Sequence, residues 1–186
     1  ARVGRVEDLI RAARYEDALG WIARPMVLAS SPSYFGNRLA SARCMVLRYL
    51  GRIDEALPCY QASIGWLLEA GEDTERASML IDEADVLRRL GRGATAEERT
   101  AEARAIAVGP YAPFVRGRAD LMSYDLLLDR GDVVGAIDRM QVAMGEFSEM
   151  GDARWQANAM LRAAWLYAQL GAVGGARSLI ASGRAL

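Results

Sequence analysis

The chain contains no lysine and no histidine: all 23 basic residues are arginine, against 24 acidic ones, for a formal net charge of −1. Without lysine there is no P-loop and no Schiff-base nucleophile. Without histidine there is no Ser-His or Cys-His dyad and no His-containing metal site. The lack of a basic excess argues against nucleic acid, whose phosphates supply most of the affinity of its binders. No apolar run approaches the roughly 18 residues of a membrane span, and the opening ARVGRVEDLIRAAR is amphipathic rather than signal-like. The two cysteines, Cys44 and Cys59, are too few for a disulfide framework or a cysteine metal site. They read as buried free thiols used as small apolar residues. No cofactor and no metal are expected, and the chain is expected to be cytoplasmic.

What is present is a repeat. The length of 186 residues suits one domain, and 52% apolar with 25% charged residues marks a globular chain. Gly51, Gly91, Gly131 and Gly171 recur at intervals of 40, each followed five residues later by Ala56, Ala96, Ala136 and Ala176. Three further glycine matches in one column would arise by chance about once in a thousand. A degenerate earlier copy, ARYEDAL at 13–19, echoes GRIDEAL at 51–57.

Each unit reads as two helices. Ahead of each glycine, apolar residues fall at helical spacing, as in Leu39, Val46, Leu47 and Leu50 or Leu80, Val86, Leu87 and Leu90. The glycine supplies the left-handed residue that closes the first helix, and Asp54 or Asp132 stands where the next one starts. Small alanines open the second helix and let two backbones approach. Tyr60, Met140 and Ile180 follow four residues later, with Thr100 the exception. Asp73, Asp152 and the pair Ser31-Pro32 are candidate helix caps. Gly20 and Pro25 should interrupt the first hairpin, Pro58 should bend its helix without ending it, and Gly109-Pro110 with Pro113 should mark the longest break.

The Gly-x-x-x-x-Ala-x-x-x-ring pattern resembles the tetratricopeptide repeat. Cys44, Ala84 and Ala164 fill the small slot of the first helix, and Leu47, Leu87, Leu127 and Tyr167 fill its tyrosine slot. The sequence departs from the pattern at the tryptophan slot (Ala40, Leu80, Asp120, Met160), at Tyr124 in a small slot, and in lacking the closing proline. The 40-residue unit is similar to the arrays of the MalT-like and antibiotic-regulator bacterial transcription activators, and more loosely to kinesin light chains. The resemblance implies an all-α, right-handed superhelix, an α-solenoid of about five antiparallel hairpins near 2–29, 34–71, 74–109, 113–150 and 153–185. It would form a single domain over 1–186, cut from a longer chain since the first residue is Ala.

It also implies which residues face the inner groove. On successive first helices these are Arg38, Ser41, Met45, Arg48 and Tyr49, then Ser78, Ile81, Asp85, Arg88 and Arg89. Arg118, Leu121, Asp125, Leu128 and Asp129 follow, then Asn158, Leu161, Trp165 and Gln169. Arg38, Arg48, Arg88 and Arg89 would suit an acidic peptide, a protein terminus or a small anionic effector, with Tyr49 or Trp165 as apolar anchor. The competing reading pairs these arginines with Asp82, Glu83 and Asp85 inside the array. The slots where asparagines would clamp a chaperone tail hold Met45, Asp85 and Asp125 instead.

No constellation points to catalysis. Asp82, Glu83 and Asp85 form the densest carboxylate cluster and read as a solvated helix face. Trp21, Trp66 and Trp155 read as core. Leu179, Ile180 and Leu186 leave the last helix apolar, which calls for a continuing chain or for self-association through that helix. The functional expectation is a binding module for a protein, peptide or effector. It would be the sensor segment of a bacterial regulator or, alternatively, a free-standing adaptor.

Overall fold

Four glycines in one conformation organise the chain. Gly51, Gly91, Gly131 and Gly171 have φ of 72°, 72°, 78° and 77°. The N–H after each one bonds back five residues, Arg52 to Leu47, Arg92 to Leu87, Asp132 to Leu127 and Ala172 to Tyr167, each at 2.9 Å. This is the Schellman closure, and its left-handed residue falls to glycine because a Cβ there is strained. The first copy closes in the same way with Ala13 at φ 54°, and Arg14 N–H reaches the Leu9 carbonyl at 2.8 Å.

The computed structural model describes residues 2–23 and 34–185. Among them are ten helices and no strand. They are α1 (Arg2–Arg11), α2 (Tyr15–Ile22), α3 (Tyr34–Tyr49), α4 (Ile53–Ala70) and α5 (Asp73–Arg89), then α6 (Gly93–Ile106), α7 (Ala112–Asp129), α8 (Val133–Glu149), α9 (Ala153–Gln169) and α10 (Val173–Arg184). Each organising turn lies within a helical hairpin. Gly71, Gly109 and Gly151, also left-handed, lie between hairpins. Pro58 lies inside α4, which continues past it to Ala70. Pro25, Ser31-Pro32 and Leu186, which carried expectations above, lie outside the described residues.

Asp54 and Asp132 stand at helix starts as expected, and of the cap candidates Asp73 and Asp152 only the second caps. Asp132 accepts from Gly135 N–H at 2.9 Å, and Asp152 from Trp155 N–H at 3.0 Å. Asp54 and Asp73 sit inside the first turns of α4 and α5, behind Arg52 and Glu72. There they meet the positive end of the helix dipole without capping it.

The alanine column makes the packing. Ala18, Ala56, Ala96 and Ala136 are fully buried, and Ala176 nearly so. Contacts divide the chain into two compact units, residues 1–96 and 97–186. In the first, Val6, Leu9, Ala18, Ile22 and Val46 form one cluster, and Cys44, Leu47, Ala56, Tyr60, Leu67 and Val86 another. In the second, Tyr124, Met140, Phe147, Ala163 and Leu166 form the core. Trp155 packs beside it, stacked on Phe147 at 5.6 Å between ring centres and edge-on to Phe114 at 5.7 Å.

Three sequence expectations are corrected. Cys44 and Cys59 are joined by a disulfide, not free; the Gly51 turn sets their helices face to face with Cα atoms 5.4 Å apart. Asp82, Glu83 and Asp85 are buried instead of solvated, because α5 is enclosed on nearly all sides. Trp66 is 53% exposed, lying on the outer side of α4.

Candidate functional site

The residues named for the groove fall into two groups, one in each unit. In the first, Arg48 on α3 reaches across to α5. It stands 2.8 Å from Asp85 and 3.5 Å from Asp82. Arg89 approaches Asp85 at 3.0 Å and Arg88 at 3.8 Å. Three arginines thus converge on one carboxylate that is itself nearly buried. Burial works against the charge on Arg48, but the charge of Asp82 and the hydrogen bond and charge of Asp85 outweigh it and raise its pKa. Burial likewise pushes Asp85 up, while the hydrogen bond and charge of Arg48, with Arg89, bring it below the ordinary carboxylate value. Of the two readings open for these arginines, internal pairing is the arrangement found. Arg38 pairs with Glu7. Tyr49, half exposed, stacks on Tyr15 at 5.0 Å with the Arg48 guanidinium 4.8 Å from its ring centre. Met45 is half-buried, and Ile81, also assigned to the groove, is buried.

In the second unit, the first helices α7 and α9 frame an open cleft of about 330 Å³. Asp125, Asn158 and Trp165, all named from the sequence, line it together with Leu128 and Leu161. Leu161 and Trp165, one helical turn apart, are 55% and 60% exposed and form an apolar shelf. Leu121, by contrast, is buried in the core. The sequence reading missed Tyr124 and Arg162, which shape the other wall. Arg162 Nη2 donates to both carboxylate oxygens of Asp125 at 2.6 and 2.7 Å. Its guanidinium lies 5.4 Å from the Tyr124 ring centre, and the Tyr124 hydroxyl donates to the Arg162 carbonyl at 3.4 Å. Burial raises the Tyr124 hydroxyl above its usual pKa, so it stays a donor at neutral pH. The signal was in the sequence. Tyr124 broke the small-residue slot, and Arg162 follows Asp125 by the same 37 residues that separate Arg48 from Asp85.

Deeper in this unit, Asp120 is almost wholly enclosed between Arg104 and Arg139. Burial raises its pKa more than the two arginines lower it. Arg116 grips Glu146 with two bonds at 2.8 and 2.9 Å.

No family model and no curated protein matches the chain in sequence. Solved structures do match. BtubC (BKLC) from P. vanneervenii has a TM-score of 0.65 at 16% identity, over 95% of this chain and 72% of that one. A Podosopora anserina putative kinesin light chain with nearly identical TPR-like repeats has 0.63 at 12%, over 99% and 92%. MamA MSR-1 C2 has 0.51 at 15%, over 98% and 92%. The chain has the tetratricopeptide-like repeat fold.

In the tetratricopeptide-like fold, neighbouring repeats share their buried faces, and the first helices α3, α5, α7 and α9 alternate with second helices along the chain. Both groups described above lie on such helices. Among the described residues no three His, Cys, Asp or Glu side chains are placed to hold a metal ion, and no helix is long and apolar enough to cross a membrane.

Proposed function

We propose that this chain is a non-catalytic interaction module and that the α7–α9 cleft takes an extended segment of a protein partner. The observation that carries this reading is the exposed shelf of Leu161 and Trp165, beside Asn158 and the Asp125–Arg162 pair. Exposed aromatic and aliphatic anchors with fixed polar neighbours are what a binding hot spot needs. The expected partner segment offers one large apolar side chain to the shelf and backbone amide groups to Asn158. An acidic ligand in the first unit has less support, because Arg48, Arg88 and Arg89 already face Asp85.

The 40-residue unit supports a place as the sensor or interaction segment of a bacterial cytoplasmic transcription regulator. The reading of a free-standing adaptor draws on the same fold. A nucleotide-binding module or helix-turn-helix in the flanking sequence would select the regulator.

The test is selection from a displayed peptide library on the parent and on a Leu161→Ser, Trp165→Ser double variant of equal helicity and melting temperature. Enrichment of peptides with a common apolar position, lost on the variant, supports the cleft. Equal enrichment on both refutes it.

A further inference from the structure

A second cleft lies on the other side of α9, between the second helices α8 and α10, with a volume of about 370 Å³. It exists because α10 presents Gly175 and Ser178 to the gap, where larger side chains would fill it. The floor is the buried Met140 and Leu166, and Ile137, Met144 and Leu179 form the apolar walls. Tyr167 closes the base of α10, 3.7 Å from where a Cβ on Gly175 would stand.

The lining includes no charged side chain. Its polar side-chain groups are the Gln141 amide, the Ser178 hydroxyl and the Tyr167 phenol. A charged ligand would lose its hydration there with nothing to replace it. Volume narrows the choice further. At about 370 Å³ the cleft lies at the lower end of small-molecule pockets, which begin at about 300 Å³. Met140 and Met144 add unbranched, polarisable walls that adapt to a flexible guest.

We propose that the α8–α10 cleft binds a small, uncharged, hydrocarbon-rich molecule whose single hydrogen-bonding group meets Gln141 or Ser178. The site is separate from the Leu161–Trp165 shelf and does not depend on it.

The test uses the uncharged fluorophore N-phenyl-1-naphthylamine on the whole chain, with 1-decanol and decanoate as competitors. Saturable binding of one probe per chain is expected, with displacement by the alcohol about tenfold or more stronger than by the carboxylate. Ser178→Phe, an exposed position whose new ring fills the gap, should abolish binding with helicity and melting temperature retained. The Leu161→Ser, Trp165→Ser variant should bind the probe as the parent does. Absence of saturable binding overturns the proposal, as does binding that survives Ser178→Phe or equal displacement by the two competitors. So does a dimer in light scattering that Ser178→Phe dissociates, since the cleft would then hold a second copy.

Discussion

Arg162 holds Asp125 across 37 residues of sequence, with one guanidinium nitrogen 2.6 and 2.7 Å from the two carboxylate oxygens. Arg48 holds Asp85 across the same separation at 2.8 Å. The two aspartates are equivalent, 40 residues apart, but the arginine comes from the preceding first helix in one case and from the following one in the other. In two successive repeats the same slot thus ties neighbouring hairpins, once to the preceding hairpin and once to the following one. A largely buried pair of this kind is destabilising to break from one side, by about 3 kcal/mol, because Arg48 is then left with Asp82 alone at 3.5 Å. Asp85→Ala should show a loss of this order in urea unfolding, and the double change with Arg48→Met should recover part of it.

Acid titration should separate Asp85 from Asp120. The folded pKa of Asp85 lies below the unfolded value of about 3.9. Its ionisation therefore stabilises fully above that pH, and the contribution is lost as pH falls through the lower folded value. Asp120 is shifted the other way by burial, so its ionisation costs stability and acid relieves that cost. The stability of the parent relative to Asp85→Asn should shrink from pH 7 to pH 3, whereas relative to Asp120→Asn it should grow. Denaturant midpoints followed by circular dichroism at the two pH values check both signs.

Gly117 is a close-contact glycine. A Cβ there would stand 2.8 Å from the buried ring of Phe147, closer than carbon atoms pack. Gly117→Ala must displace that ring from its stack on Trp155, at a cost of about 1–3 kcal/mol typical of overpacking. Urea unfolding reads the loss, and Phe147→Leu in the same background should offset part of it.

Ala13 holds the left-handed turn that glycine holds in the later repeats. The conformation costs a non-glycine residue roughly 1–2 kcal/mol. Ala13→Gly should stabilise the first hairpin, partly offset by the greater freedom of glycine in the unfolded chain. Amide exchange in α1 and α2 should slow; unchanged or faster exchange would contradict the account.

The Cys44–Cys59 disulfide closes a loop of 15 residues in sequence separation, for which chain entropy gives about 3 kcal/mol. Reduction should lower the melting temperature, and alkylation before reduction should leave both sulfurs unlabelled. A chain kept in a reducing cytoplasm would hold the two as thiols and form the bond on oxidation.

Much of this fold was legible in the sequence because its determinants are local and recur. A glycine that must be left-handed and an alanine that must be small impose the same requirement in every repeat, so Gly51 and Ala56 predict Gly131 and Ala136. The side of the cleft formed by Asn158, Leu161 and Trp165 was legible by the same register. Partner choice was not. Arg48 offered to an acidic ligand and Arg48 bound to Asp85 have the same sequence, and only the approach of α3 to α5 decides between them. The same holds for Cys44 and Cys59, whose bond depends on facing helices, and for Trp66, whose exposure depends on what packs beside its helix. The turns, the helices and their pairing into hairpins follow from backbone conformation and periodic burial, which neighbouring residues set. Which charges neutralise each other and where clefts remain depend on distances between residues some 40 positions apart, which only the packed helices fix.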